Sequence, residues 1–182
     1  MNPVFRVCFV CTGNICRSPM AESVFRAHIA DAGLGGLVEI GSAGTDGWHE
    51  GDGADPRTVS VLTSAGYPIA HRARQFTASW FAGLDLVIAL DSGHLRTLRR
   101  LAPGPDDAAK VRLLGSYQDA DGPWRERDVP DPYYGGHDGF EECLAMIEAA
   151  TDGLLEAVRA ALAAEGHVPL HSPHHPQKKE DA

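Results

Sequence analysis

The sequence predicts an α/β fold, a three-layer sandwich in which a four-stranded parallel sheet is flanked by helices. Short, nearly continuous apolar runs, typical of strands buried on both faces, alternate with stretches in which apolar residues recur at helical spacing. Such alternation favours βαβ units and therefore a parallel sheet. The 182 residues are 43% hydrophobic and 23% charged, as expected for one ordinary globular domain.

The beginning of the chain shows this alternation most clearly. Residues 4–10 form an apolar run that predicts a buried strand, and residues 11–17 follow as a loop. Ser18 is a good helix N-cap and Pro19 suits the first helical position, so we predict a helix that ends at Gly33. Strand, loop and helix together open a βαβ unit.

The later elements follow from the same periodicity and from Gly and Pro punctuation. In chain order they are a strand at 38–40 leading into a loop at 42–45, a helix at 55–65, a strand at 84–90, a helix at 92–101, a strand at 111–114, a long polar loop at 115–136 and a helix at 140–164. We predict a domain at 1–166. The remaining tail at 167–182 is rich in histidine and proline, has little to bury, and is predicted to be disordered.

Composition narrows the classes of function. Lys and Arg number 16 against 25 Asp and Glu, and the net charge of −9 disfavours nucleic-acid binding. No run approaches the ~20 apolar residues that span a bilayer, and the N-terminus lacks a signal-peptide pattern, so we expect a cytoplasmic protein without a membrane partner. Four cysteines are too few for a disulfide framework, and three of them cluster near the start.

The loop after the first strand carries the strongest chemical signal. Cys11 is followed by five residues, then by Arg17 and a helix start. Such a loop can turn successive backbone N–H groups inward, and the helix terminus adds partial positive charge, which predicts an oxyanion site. Gly13 permits a positive φ, Asn14 tolerates left-handed geometry, and the Arg17 fork matches two phosphate oxygens. The predicted phosphate-binding residues are Thr12, Gly13, Asn14, Ile15, Cys16, Arg17 and Ser18.

Cys11 is the predicted nucleophile. A cysteine at a helix N-terminus or beside a cation has a pKa of roughly 3.5–7.5 instead of ~8.5, so we expect a thiolate at neutral pH. A thiolate at the floor of a phosphate site is placed for in-line attack on phosphorus. The sequence therefore predicts phosphoryl transfer to cysteine, with no metal and no cofactor. The alternative, a buried inert thiol and a surface arginine, fits the strand–loop–helix context less well.

Residues 10–22, Val-Cys-Thr-Gly-Asn-Ile-Cys-Arg-Ser-Pro-Met-Ala-Glu, resemble the signature of the low-molecular-weight protein tyrosine phosphatases, and the Thr-Gly-Asn wording is most similar to actinobacterial members. Further family blocks recur in family order at 42–45, 48–49, 66–68, 71–75 and 131–135. The resemblance covers about residues 4–164. It implies a signalling hydrolase that removes phosphate from phosphotyrosine through a cysteinyl-phosphate intermediate.

The reaction also needs a proton donor for the leaving phenolate. The long loop offers four acids, among which spacing alone does not choose: Asp119, Asp121, Asp128 and Asp131. The resemblance chooses Asp131, since the family carries its acid in an Asp-Pro-aromatic motif that only Asp131-Pro132-Tyr133 fits. By implication Asp131 protonates the leaving oxygen and then serves as base for the water that hydrolyses phosphocysteine.

Aromatic residues are predicted to form the rim of the site. Trp48, Tyr133 and Tyr134 would hold a phenyl ring between flat faces and so favour phosphotyrosine over the shorter phosphoserine. The alternative for Trp48 is a surface-packed anchor. His49 is a fourth rim candidate, for which a solvated loop histidine is the alternative.

Supporting residues follow from the resemblance. Asn14, Ser42 and His71 resemble the family's hydrogen-bonded network that holds Asn14 in its strained conformation; a turn residue and a partly buried histidine are the alternatives for Ser42 and His71. The Ser18 hydroxyl could donate to the Cys11 sulfur and so improve it as a leaving group.

The other cysteines divide into two classes. Family members use the pair matching Cys11 and Cys16 as reversible disulfide protection from oxidation, which implies a redox role for Cys16. Cys8 and Cys143 are expected to be small core residues.

Three other functions compete with this hypothesis. A zinc site built on Cys8, Cys11 and Cys16 lacks a second Cys/His pair at suitable spacing. An arsenate reductase of the same fold would need resolving cysteines between Arg17 and Cys143, where none occurs. A non-catalytic phosphotyrosine-binding module would not need nucleophile and acid together. The expected partners are phosphotyrosine-containing proteins, small aryl phosphates in vitro, and inorganic phosphate or vanadate as inhibitors.

Overall fold

The computed structural model describes residues 4–168. The helices are α1 (Arg17–Asp31), α2 (Pro56–Ser64), α3 (Ser92–Leu101), α4 (Pro105–Ala109) and α5 (His137–Ala164), with short 3-10 helices at Ala78–Gly83 and Leu114–Tyr117. The strands are β1 (Phe5–Cys11), β2 (Val38–Gly44), β3 (Leu86–Ala89) and β4 (Val111–Leu113). The predicted disordered tail falls almost wholly outside the described residues, and the domain boundary at 166 stays a prediction.

The four strands form one parallel sheet in the order β2-β1-β3-β4, which confirms the predicted sheet. Every residue of β1 except Arg6 is buried, as expected for a strand covered on both faces. Alternate residues of β1 enter two separate cores: Val7, Phe9 and Cys11 face α1 and α5, whereas Cys8 and Val10 face the core beside α3. The period of two therefore places Cys11 on the α1 side of the sheet.

The order of the strands creates the cleft that the site occupies. The chain leaves β1 toward β2 on one side, and β3 pairs with β1 on the other. Ligands of open α/β sheets bind beyond the carboxyl ends of the strands at such a switch point. Here the loop 12–16 follows β1 and Asp91 follows β3, so both reach the same edge of the sheet.

Several predicted boundaries differ from the structure. β2 continues through 42–44, predicted as loop, because Ser42 and Ala43 pair with Phe9 and Val10 of β1. Gly44 ends this strand where a Cβ would lie 2.5 Å from the Thr12 carbonyl oxygen, so only glycine fits. β3 is shorter than the predicted 84–90, and α5 begins three residues before the predicted 140. α4 was not predicted, because it buries none of its five residues and has no apolar periodicity.

Two local predictions in the anion-binding loop are wrong. α1 begins at Arg17 with Cys16 at the N-cap and no side-chain cap, so Ser18 does not cap the helix. The Ser18 hydroxyl instead accepts a hydrogen bond from Asn14 and contacts the Cys11 sulfur. Gly13 does not adopt a positive φ; a Cβ there would lie 3.1 Å from the His49 ring, so the glycine provides space rather than a left-handed turn.

Two kinds of feature are absent from the described residues. No helix within residues 4–168 is long and apolar enough to cross a bilayer. Nor does that part of the chain contain a group of three or more His, Cys, Asp or Glu side chains arranged to hold a metal ion.

Candidate active site

One cavity of about 260 Å³ lies at the carboxyl edge of the sheet. Its lining contains most of the site residues predicted from the sequence, namely Cys11, Thr12, Gly13, Ile15, Cys16, Arg17, Trp48, His49, Asp131, Tyr133 and Tyr134. Four other predicted residues do not line it. Asn14, Ser18 and Ser42 are buried behind the loop, together with the His71 side chain. The structure thus separates residues that can touch a ligand from residues that support them.

The loop 12–16 presents a row of backbone N–H groups. Within the described residues, none of these five groups donates to a backbone carbonyl, although the Cys11 and Thr12 carbonyls accept from Thr45 and Asp46. Asn14, Ile15 and Cys16 are buried, and buried N–H groups without acceptors are rare in native proteins. Successive N–H groups beside a helix N-terminus bind anions, so this loop is the part of the molecule best suited to hold a phosphoryl group.

Cys11 ends β1 at the floor of the cavity and is 3% exposed. Its Sγ lies 2.9 Å from the Ser18 Oγ. Asn14 Nδ2 donates to the same oxygen at 2.8 Å, and the alternative acceptor for the Ser18 proton, the Ala43 carbonyl, is farther away at 3.4 Å. The Ser18 hydroxyl is therefore placed to donate to the sulfur.

The other three cysteines are held protonated. Burial raises the pKa of Cys8, Cys16 and Cys143 to about 12 in each case, and at Cys16 the charges of Asp55 and Cys11 add to this effect. Among the described residues all four cysteines are free of disulfide bonds. Cys8 and Cys143 are fully buried in the two cores, as predicted. These thiols are therefore poor nucleophiles at neutral pH.

Asn14 holds the loop in shape from behind. Its φ of +56° lies in the left-handed region, where a side chain other than glycine is strained unless its surroundings hold it. Its side chain donates to Ser18 and Ser42 at 2.8 and 3.0 Å and accepts from the Arg74 backbone N–H at 3.0 Å. The His71 Nε2 donates to the Asn14 carbonyl at 2.6 Å. Every polar group of the amide side chain is thus engaged.

The Asn14 contacts continue to a buried carboxylate. Ser42 Oγ donates to Glu22 at 3.0 Å, and His71 Nδ1 lies 3.7 Å from the same oxygen. Burial alone would raise the pKa of Glu22, but the hydrogen bonds from His71 and Ser42 and the charge of Arg26 lower it. Glu22 is therefore an anion that anchors the network predicted on Asn14, Ser42 and His71.

Arg17 is buried at the first position of α1 and is oriented by two partners. Nη1 donates to Asp91 Oδ2 at 2.8 Å and to the Val129 carbonyl at 3.0 Å, while Nη2 lies 3.8 Å from Asp131. Burial alone would lower the pKa of Arg17, but the negative charges of Cys11, Asp91 and Asp131 raise it. The guanidinium is therefore a fixed cation at the cavity wall.

Of the four candidate acids, only Asp131 lines the cavity. Its carboxylate accepts from the Tyr133 backbone N–H at 3.1 Å. Asp128 instead accepts from the backbone N–H and hydroxyl of Ser92, at 2.9 and 2.8 Å, and so ties the acid-bearing loop to the start of α3. Among these four loop acids, Asp131 is thus the one placed to reach an atom bound in the cavity.

The rim is aromatic and open to solvent. Trp48 and Tyr134 are 88% and 92% exposed, and Tyr133 is 40% exposed. Tyr133 packs edge-to-face on Tyr134, and the Arg57 guanidinium lies 5.5 Å from the centre of the Tyr133 ring. Trp48 is not packed on the surface, which removes the anchor alternative. The exposed rings leave free faces for an aromatic ligand.

Sequence reasoning missed three residues at the site. Asp46 lines the cavity, Asp91 orients Arg17, and His94 contacts Thr12. Asp91 had one usable signal, since it follows the end of β3 by two residues and the carboxyl ends of parallel strands share one edge of the sheet. Asp91 also caps α3, the helix predicted at 92–101.

A family profile, two related sequences and one solved structure that match this chain are all described as protein tyrosine phosphatases. The family profile described as low molecular weight phosphotyrosine protein phosphatase matches residues 6–164, a range that includes the whole cavity lining. A low molecular weight protein-tyrosine-phosphatase of Streptomyces coelicolor is 71% identical over 155 residues, covering 85% of this chain and 94% of that protein. The low molecular weight protein-tyrosine phosphatase A of Mycobacterium tuberculosis is 48% identical over 166 residues, covering 91% and 99%. A protein tyrosine phosphatase structure from Entamoeba histolytica superposes with a TM-score of 0.79 at 32% identity, covering 90% and 99%.

Proposed function

The chain belongs to the low molecular weight phosphotyrosine protein phosphatase family and is a protein-tyrosine phosphatase, and on this premise we propose which of its residues carry out the reaction. Cys11 is the nucleophile, Arg17 and the amides of 12–16 bind the phosphoryl oxygens, and Asp131 is the general acid and base. One observation carries the proposal: a buried sulfur, a fixed guanidinium and four residues of the loop 12–16 line the same cavity, and within the described residues no backbone carbonyl accepts from the N–H groups of that loop.

In the first step the Cys11 thiolate attacks phosphorus in line with the aryl oxygen. A sulfur–phosphorus bond forms, and the bond between phosphorus and the aryl oxygen breaks. The Asp131 carboxyl gives its proton to the departing phenolate, which leaves as a neutral phenol. The loop amides and Arg17 hold the three equatorial oxygens, whose charge is spread out in a loose transition state.

In the second step water replaces the sulfur. The Asp131 carboxylate takes a proton from the water while the water oxygen bonds to phosphorus. The sulfur–phosphorus bond breaks, and its electron pair returns to the Cys11 sulfur. The Ser18 hydroxyl, 2.9 Å from the sulfur, stabilises the thiolate as it leaves. The products are inorganic phosphate and the resting enzyme, so phosphate and its analogue vanadate inhibit by occupying the loop.

The rim supports phosphotyrosine-containing proteins as substrates. The exposed rings of Trp48, Tyr133 and Tyr134 line the same cavity as the proposed nucleophile Cys11. A phenyl ring spans rim and floor and stacks on these faces, whereas the short serine side chain does neither.

The state of the cysteines supports a reducing compartment and a redox role for Cys16. Four buried cysteines without bridges, one of them a proposed thiolate, fit the cytoplasm. Burial raises the pKa of Cys16 to about 12, so Cys16 does not compete with Cys11 for the substrate. The proposed redox role rests on the short spacing between the two cysteines: a peroxide oxidises the Cys11 sulfur to a sulfenic acid, and the Cys16 thiol condenses with it to a disulfide and releases water, slowly because so little of Cys16 is thiolate.

A substrate panel tests this function. We expect the wild-type protein to hydrolyse p-nitrophenyl phosphate and a phosphotyrosine peptide with EDTA present, and to turn over the matched phosphoserine peptide at least about 100-fold more slowly in kcat/KM. The measurement is phosphate release under steady-state conditions. Reduction of arsenate by thiols would favour the reductase alternative, and binding of the phosphotyrosine peptide without phosphate release would favour the non-catalytic module.

A further inference from the structure

His94 is a buried residue near the active site that the proposed chemistry does not use. It occupies the third position of α3 and is 5% exposed. Its backbone N–H donates to Asp91 Oδ1 at 2.8 Å, as part of the cap of that helix. The cap uses only the backbone N–H of His94, so it does not explain why the side chain at this position is histidine.

The imidazole lies between the two parts of the phosphate site. Nε2 is 2.8 Å from Thr12 Oγ1, and Thr12 is the first residue of the loop that presents the N–H groups. Nδ1 is 3.1 Å from Asp91 Oδ1, and the other oxygen of Asp91 accepts from Arg17 at 2.8 Å. One ring thus joins the loop to the carboxylate that orients the arginine, two groups far apart in sequence.

The charge state of the ring determines how it bonds. Burial lowers the pKa of His94 to about 4, with Arg17 acting in the same direction and Asp91 opposing. The ring is therefore neutral at neutral pH and carries one proton. A lone pair on Nδ1 would face a carboxylate oxygen, so the proton belongs on Nδ1, even though its contact with Asp91 is not aligned as a full hydrogen bond. Nε2 then accepts from the Thr12 hydroxyl.

We infer that His94 is a positioning residue for phosphate binding, which acts through Thr12 and Asp91 to keep the loop and Arg17 in one geometry. The inference rests on the proposed function, because it assigns the loop and the arginine to the phosphoryl group. Restraint before binding lowers the entropy cost of assembling the site. A ring that merely filled core space would not depend on the Thr12 hydroxyl.

A double-mutant cycle separates positioning from packing. The variants are Thr12→Val, which removes the hydroxyl with little change in shape, His94→Leu, and the two combined. We expect each single variant to raise the Ki of inorganic phosphate by about fivefold, the value of one hydrogen bond, and the combination to raise it no further. The measurement is competitive inhibition of p-nitrophenyl phosphate hydrolysis, with the thermal midpoint recorded for every variant.

Two further variants serve as controls. Thr151→Val removes a buried hydroxyl that donates to the Ile147 carbonyl inside α5, and is expected to leave the phosphate Ki unchanged. His94→Gln places an acceptor near Thr12 and is expected to have a lower Ki for inorganic phosphate than His94→Leu. Long-range proton–nitrogen spectra of the wild-type protein are expected to show a neutral His94 with its proton on Nδ1.

Several results would overturn the inference. A folded Thr12→Val protein with the wild-type Ki would do so without any His94 variant, as would single effects that multiply in the combined variant. A charged His94 ring at neutral pH would also contradict it. Failure of the wild-type protein to hydrolyse aryl phosphates at all would instead contradict the proposed function, and this inference with it.

Discussion

The Cys11→Ser protein is expected to lose turnover by at least about 10⁴-fold while still binding inorganic phosphate. A serine hydroxyl at this position is not ionised at neutral pH and is a far weaker nucleophile than a thiolate. The loop amides and Arg17, which hold the phosphoryl oxygens, are unchanged. The measurements are steady-state hydrolysis of p-nitrophenyl phosphate and calorimetric titration with phosphate.

The matched control is Cys8→Ser, three positions earlier on the same strand. Cys8 is also buried, but it faces the opposite core and burial raises its pKa to about 12. The Cys8→Ser substitution therefore makes the same chemical change in β1 at a residue that does not line the cavity. Cys8→Ser should retain turnover per folded molecule. If Cys11→Ser retained it as well, another residue would be the nucleophile.

Asp131→Ala is expected to slow the enzyme in proportion to the difficulty of the leaving group. Without a proton donor, kcat/KM for phenyl phosphate should fall by about 10²–10⁴-fold, whereas activated phenols, which leave as stable anions, should lose much less. The measurement is kcat/KM for a series of aryl phosphates plotted against the pKa of the phenol. The wild-type plot should be nearly flat and the variant plot steep.

Asp128→Asn is the control for this experiment. Asp128 bonds Ser92 and anchors the same loop, but it does not line the cavity. Loosening the loop should lower the rate for all leaving groups alike and leave the slope of the plot unchanged. Equal slopes for wild type and Asp131→Ala would remove Asp131 from the role of acid and make Asp46, the other carboxyl group that lines the cavity, the candidate.

The fold was largely predictable because its signals are local. The buried run of β1 and the helical periodicity of α1 and α5 are properties of neighbouring residues, and all three elements are present in the structure. The end of β2 was not predictable from its own sequence, since Ser42 and Ala43 are extended only because β1 lies beside them. The expected similarity to actinobacterial family members is confirmed by the relative from Streptomyces coelicolor.

The site was predictable only where its residues are neighbours in sequence. Cys11 and Arg17 share one short loop, so their spacing was informative, and the cavity contains both. The selection of Asp131 needed the family resemblance, because the sequence around four loop aspartates does not show which one reaches the cavity. Asp91 and His94 act on residues more than 70 positions away, and such contacts leave no local pattern.

Ser18 matches the sequence pattern of a helix N-cap but has a different role in the structure. A serine before a proline at a helix start is typical of an N-cap, which was the prediction. In the structure its hydroxyl accepts from Asn14 and contacts Cys11, and the helix begins without a side-chain cap. The site takes the hydrogen bond that the helix end would otherwise use, as happens where function and local stability compete.

The most direct measurement is the isolation of the phosphorylated enzyme. Wild-type protein would be mixed with saturating p-nitrophenyl phosphate, quenched in alkaline denaturant during turnover, digested and analysed by mass spectrometry. The account predicts one phosphoryl group on the sulfur of Cys11, and none in the Cys11→Ser protein treated in the same way. A phosphoryl group on any other residue, or turnover without a phosphorylated enzyme at any quench time, would contradict it.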